Sequence, residues 1–162
     1  MPNWSKMLNV SQYLRTLNSD VTEIILDGRD IQNDSWTELS RFRDLEKLSA
    51  IDCGIRDLAG FPVLPKLRVL TLHDNAIDEL TPIQQACPQL QRLGIANNFL
   101  FYISQLEPLR LLPNLKSLDL EDNDVCALVQ FDMFMERCFP NVKKSFVDFY
   151  DSDSDTEHGV DD

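Results

Sequence analysis

Asp52, Asp74, Asn97 and Asp122 follow one another at intervals of 22, 23 and 25 residues, and each directly precedes Cys53, Asn75, Asn98 or Asn123. Carboxylates at so regular a spacing can gather into a row, and a row of negative charge attracts and orients a basic partner. Acid–base or nucleophilic catalysis needs something else, a nucleophile beside an oriented base. The two histidines are His73, next to Asp74, and His158, and neither stands in a motif that supplies a nucleophile. The five glycines are scattered and make no phosphate loop. Cys53, Cys87, Cys126 and Cys138 lack the close pair spacing of a zinc site or disulfide framework. The chain therefore reads as a non-enzyme with no metal or cofactor.

The residues around each acid say how it is held. In Leu115-Lys116-Ser117-Leu118-Asp119-Leu120-Glu121-Asp122-Asn123-Asp124-Val125, apolar residues fill places one, four, six and eleven, and a small polar residue fills place nine. Earlier copies read Val21, Ile24, Leu26, Arg29, Ile31; Leu45, Leu48, Ala50, Cys53, Ile55; Leu67, Leu70, Leu72, Asn75, Ile77; and Leu90, Leu93, Ile95, Asn98, Leu100. Their starts are 24, 22, 23 and 25 residues apart, within the range of leucine-rich repeats. Places four and six alternate inward on a short strand, and the amide at place nine can satisfy backbone groups of the turn that follows. Cys53 takes that place in the second copy and is expected to be a reduced, buried thiol. Pro65-Lys66-Leu67, Pro88-Gln89-Leu90 and Pro113-Asn114-Leu115 mark strand entries, because proline cannot supply a ladder hydrogen bond. The pattern predicts an α/β fold, a right-handed leucine-rich repeat solenoid with a parallel β-sheet on the concave face and 3-10 or short helices on the convex face.

Stacked strands bring equal places together as rows. Place eight contributes Asp52, Asp74, Asn97 and Asp122; place seven Asp27, Ile51, His73 and Glu121; place five Asp119; and place three Glu23 and Val69. These eleven residues are the candidate partner-binding face. Lys47, Arg68, Arg92 and Lys116 lie nearer the strand entries, so that edge is mixed in charge. Two readings of place eight stand side by side: a docking surface for a lysine- and arginine-rich segment, or residues chosen because Asp and Asn suit the start of a turn.

Lys and Arg number 15 against 27 acids, a net charge of −12, and residues 151–162 hold six acids with no Lys or Arg. Such a surface repels a phosphate backbone, so nucleic acid is not an expected direct ligand. No secretory leader or membrane span is evident, and an intracellular protein is expected. Met7, Val10, Leu14 and Leu17 form a helical stripe within residues 3–18, giving a capping helix over 1–20 ahead of five repeats over 21–127. Ile55, Leu58, Phe61 and Leu64 recur in threes, the period of 3-10-like turns. The first and fourth returns can hold helical turns through Trp36, Leu39 and Phe42 and through Ile103, Leu106 and Leu109. A C-terminal cap over 128–150 uses the stripe Leu128, Phe131, Met135 and Cys138 and then a damaged sixth repeat entered through Pro140-Asn141-Val142, with Phe146, Phe149 and Tyr150 as apolar surface. Residues 151–162 are too polar to bury and are expected to be a disordered tail, where Ser152 and Ser154, each with an acid three residues on, are candidate phosphorylation sites.

Val21-Thr22-Glu23-Ile24-Ile25-Leu26-Asp27, Cys87-Pro88-Gln89-Leu90, Ile103-Ser104-Gln105-Leu106-Glu107-Pro108-Leu109 and the closing Phe149-Tyr150-Asp151 resemble the acidic leucine-rich nuclear phosphoprotein 32 family over roughly residues 5 to 151. The resemblance implies a nuclear or nucleocytoplasmic protein that binds histones, inhibits protein phosphatase 2A and serves as a chromatin or RNA-transport adaptor, without a cofactor; a monomer is expected. Family members typically continue into a much longer acidic tract than the dozen residues present here. Two rival readings stand beside histone binding: a regulator of protein phosphatase 2A, and a splicing adaptor similar to the leucine-rich subunit of the U2 ribonucleoprotein.

Overall fold

Three residues of strand per repeat are enough to build the sheet. The computed structural model describes residues 8–31 and 35–144. Strands β1 (Glu23–Ile25), β2 (Lys47–Ser49), β3 (Val69–Thr71), β4 (Arg92–Gly94), β5 (Ser117–Asp119) and β6 (Lys143–Lys144) form one parallel sheet in chain order. In the five full repeats each strand covers places three to five, and the register matches place for place, from Glu23↔Lys47 to Gly94↔Asp119. This is the leucine-rich repeat solenoid that the pattern predicts. Leu48, Leu70, Leu93 and Leu118 at place four, and Ala50, Leu72, Ile95 and Leu120 at place six, are buried in one continuous core.

Place nine holds the turns together. The Asn75 Oδ1 accepts from the N–H groups of Cys53 and Ile55, both at 3.1 Å, while its Nδ2 donates to the carbonyls of Ala50, Leu72 and His73. Asn98 and Asn123 repeat the arrangement one and two repeats on. Each amide therefore satisfies buried backbone groups that the end of a strand would leave without partners. Cys53 is 1% exposed and its thiol donates to the Leu26 carbonyl, so the buried-thiol expectation holds.

The returns differ from repeat to repeat. The first contains one α-turn, α2 (Trp36–Leu39); the third contains α3 (Thr81–Ala86), with Pro82 in its first turn; and the fourth is a 3-10 helix, η1 (Ile103–Leu111). Residues 56–64 form no regular helix, although Ile55, Leu58, Phe61 and Leu64 are all buried. Of the expected 3-10-like turns one forms here, closed by the Phe61 N–H donating to the Leu58 carbonyl at 3.0 Å. That return belongs to the shortest repeat, 22 residues from Leu45 to Lys66, which leaves the least chain for a regular helix.

At the β1 end lies helix α1 (Val10–Thr16), shorter than the sequence stripe, whose residues 3–7 fall outside the described ones. Asn9 and Gln12 form a capping box at its start. Val10 and Leu14 are buried, and the Arg41 guanidinium donates to the carbonyls of Leu14 and Leu17 at 2.6 Å, closing the other end. Arg29, standing where later repeats have Asn or Cys, reaches the helix instead: it donates to the Leu8 carbonyl and lies 4.2 Å from the centre of the Tyr13 ring.

Beyond β5 come η2 (Asp124–Ala127) and α4 (Phe131–Cys138), with Phe131 and Met135 buried; Leu128 precedes α4 and is not on its stripe. The sixth entry departs from the expected frame. Val142 N–H donates to the Phe139 carbonyl, as Leu115 does to Leu112, which makes Val142 place one. Yet Lys143 pairs with Ser117 at place three, so one residue is missing between turn and strand and Lys144 sits beside Leu118. The Lys144 Nζ is 3.3 Å from Asp132 and 5.7 Å from the Phe131 ring centre. Phe146, Phe149, Tyr150 and residues 151–162, including Ser152 and Ser154, lie outside the described residues.

Candidate functional site

Place eight has one backbone conformation throughout. Gly28, Asp52, Asp74, Asn97 and Asp122 have φ of 70°, 51°, 58°, 50° and 56°, in the left-handed region. Each of the first four donates its N–H to the place-seven carbonyl of the next repeat, at 2.8 to 3.1 Å, which fixes the turn across the sheet edge. Only Gly, Asn and Asp enter this region at low cost, so the turn explains the residue types. It does not select Asp over Asn or Gly, and three of the five are Asp, all exposed. Both readings of the row are therefore served by the same side chains.

Place seven contains two bridges between repeats. Asp27 Oδ1 accepts from the Ser49 hydroxyl at 2.6 Å and from the Ile51 N–H at 2.9 Å. His73 Nδ1 accepts from the Ala96 N–H at 2.9 Å, and its Nε2 points to Asp119 Oδ2 at 3.9 Å. Accepting at Nδ1 assigns the ring proton to Nε2 in the neutral imidazole, facing the carboxylate. Asp27 and His73 thus contribute to holding neighbouring strands in place as well as to the character of the face.

The remaining candidates are spread along the same surface. Glu23, Glu121 and Asp122 are exposed; Ile51, Val69 and Asp119 are half-buried; and Asn97 donates to Asp74 Oδ1 at 2.7 Å. Ile25, on β1, is 49% exposed and adds an apolar spot to the acidic surroundings. Lys47 and Arg92 are half-buried on the strands, so the negative residues dominate toward the turn edge.

Over that edge lies a groove of about 670 Å³ lined by Asp30, Asp52, Gly54, Arg56, Asp57 and Asp74 among others. Four carboxylates face one guanidinium there, enough to favour a cationic side chain. Asp30 and Asp57 escape a reading confined to the strand because they stand at places ten and thirteen, past the turn. Among the described residues no group of three or more His, Cys, Asp or Glu is arranged to hold a metal ion, and no helix is long and apolar enough to cross a membrane.

A family model described as leucine-rich repeat matches residues 42–153. A curated relative, acidic leucine-rich nuclear phosphoprotein 32 family member A of Drosophila melanogaster, is 32% identical over 160 residues, covering 97% of this chain. The chain spans 59% of that relative's length. The resemblance read from the sequence is borne out by this match. Among solved structures, a chain of the Drosophila melanogaster SNF/U2A′ complex is similar with a TM-score of 0.65 and 24% identity, over 85% of this chain and 82% of that one. At that identity the likeness speaks for the fold.

Proposed function

Because this chain belongs to the leucine-rich repeat family and matches an acidic nuclear phosphoprotein along nearly its whole length, we propose that it is a non-catalytic scaffold that binds basic nuclear proteins, histones foremost, through the acidic turn edge of its concave face. The observation that carries the reading is the set of acids along one edge, Asp30, Asp52, Asp57 and Asp74 around the groove and Glu121 and Asp122 in the fifth repeat, interrupted in the fourth by Ala96 and Asn97. A lysine- or arginine-rich segment laid along this edge meets carboxylates in the first three repeats and the fifth, with the Asn97 amide between them and Ile25, Ile51 and Val69 as apolar contacts. Long-range attraction of this kind raises the rate of encounter and weakens with salt. Phosphorylation of Ser152 and Ser154 adds roughly −1.5 to −2 charges per site and strengthens the same attraction. The nucleus is the compartment that fits the partner and the relative's name.

The test is a titration of the full chain with purified core histones at two salt concentrations, repeated with Asp52→Asn, Asp74→Asn and Asp122→Asn combined and with a chain ending at Asp151. Asparagine keeps the left-handed turns and removes only charge. At least tenfold weaker, less salt-sensitive binding by the triple variant supports the face as the site. Unchanged affinity in that variant removes the face from the function, and binding lost only with residues 152–162 assigns it to them.

A further inference from the structure

Phe99, Phe101 and Tyr102 stand at places ten, twelve and thirteen of the fourth repeat, past the turn from the acidic row, and are 52%, 40% and 67% exposed. Their rings form a contiguous shelf, with centroids 6.0 Å apart for Phe99–Phe101 and 6.3 Å for Phe101–Tyr102. Three neighbouring aromatic rings exposed at one spot are unusual on a protein surface and mark contact sites.

The shelf is held in place by the backbone beneath it. Gln105 Oε1 accepts from the N–H groups of Phe101 and Tyr102 at 2.7 and 2.8 Å, and its Nε2 donates to the carbonyls of Asp78 and Phe99. The rings are thus presented on fixed backbone, which lowers the ordering cost of a contact. A groove of about 710 Å³ continues from Gln105 between α3 and η1, with Glu79, Gln84, Glu107, Arg110 and Leu111 in its lining.

Charge decides what can cover the shelf. The equal places of the adjoining repeats hold Asp124 beside Phe99, Asp78 beside Phe101 and Glu79 beside Tyr102, and all three acids are exposed. The Thr81 hydroxyl and N–H donate to the Glu79 carboxylate and hold it below its usual pKa, so it stays ionised. Residues 151–162 are acidic and are repelled by these flanks. A second copy sets the same acids against one another, on a chain of net charge −12.

We propose that Phe99, Phe101 and Tyr102 form a second docking surface, for a short segment of a partner protein that carries large apolar side chains flanked by lysine or arginine. The rings take the apolar side chains and the flanking acids take the cations, a guanidinium also stacking on an exposed ring face. This surface is separate from the concave row and does not depend on what that row binds.

The probe is a synthetic twelve-residue peptide with a central Trp-Leu pair and two lysines on each side, titrated into the full chain by calorimetry with amide shifts followed in parallel. Combined Phe99→Ser, Phe101→Ser and Tyr102→Ser should weaken binding at least tenfold, as should replacing Trp-Leu by Ser-Ser or the lysines by glutamates. Asp78→Lys with Asp124→Lys, which leaves the three aromatic rings in place, should also weaken it at least fivefold. Asp52→Asn, Asp74→Asn and Asp122→Asn combined should leave it within twofold. Equal binding by the serine variant, or by the peptide with Ser-Ser, overturns the proposal. So does a concentration-dependent dimer of the wild type that the serine variant abolishes, since a second copy would then be the occupant.

Discussion

The imidazole of His73 fills the space that a side chain on Gly94 would need: a Cβ there would lie 2.6 Å from both Cε1 and Nε2. The ring crosses strand β4 toward Asp119 on β5 because residue 94 has no side chain. Gly94→Ala should push the ring off the Ala96 N–H and cost ~1 kcal/mol, the net worth of that hydrogen bond. Urea unfolding of Gly94→Ala, His73→Ala and the double variant measures this. The double variant should lose no more than His73→Ala alone, and full additivity would mean the ring and the glycine are independent.

Asn75 and Asp74 are adjacent in sequence and opposite in consequence. Asn75→Ala removes a buried amide that serves five backbone groups, and leaving several of them unpaired should cost about 3 kcal/mol. Asp74→Asn keeps the left-handed turn and should change stability by less than ~0.5 kcal/mol. Chemical denaturation midpoints of the two variants, compared at equal slope, check the contrast.

Arg29 ties α1 to the first repeat through the Leu8 carbonyl and the Tyr13 ring. Arg29→Ala should cost about 1 to 2 kcal/mol locally. Hydrogen exchange is the suitable measurement, because amides of α1 should exchange faster while those of β3 and β4 keep their protection. Uniform loss of protection would mean that α1 and the central repeats open together.

Burial pushes the Cys87 thiol up to about 12 and the Cys53 thiol up to about 11. In the unfolded chain a thiol ionises near ~8.5, so the folded pKa values are the raised ones. Their contribution to stability is complete below about pH 8.5 and is lost as pH climbs toward the folded values. Urea midpoints should therefore fall between pH 9 and 11, less steeply in Cys53→Ala combined with Cys87→Ala. Iodoacetamide at pH 8 should spare both residues until urea is added.

Much of the architecture was legible because the repeat fixes it physically. A leucine at place four faces inward only if every strand keeps one register, and Asn at place nine has a single set of backbone groups within reach. The returns were less legible, since a three-residue apolar period does not say how many turns close: Ile103–Leu111 is a continuous 3-10 helix, whereas between Ile55 and Leu64 a single turn closes, from Leu58 to Phe61. In the sixth entry Pro140-Asn141-Val142 looks locally like the others, and only pairing with Ser117 reveals the missing residue. The candidate row was visible as Asp and Asn at constant spacing, but the sequence did not tell that Asp27 and His73 also bridge strands. The aromatic shelf was hidden in plain periodicity: Phe99 and Phe101 flank the core residue Leu100 and pass for members of an apolar run.

The shortened sixth entry also bears on how molecules of this protein meet one another. A parallel sheet grows by adding strands, and a bare terminal strand invites the next chain to pair with it. Here the last described strand carries Lys143 and Lys144, both exposed, and the second replaces the leucine on which another layer would have to stack. Among the described residues, a strand added beside β6 would meet Lys143 and, where the preceding layers present leucine, the Asp132-paired Lys144, a surface on which a further apolar ladder does not stack.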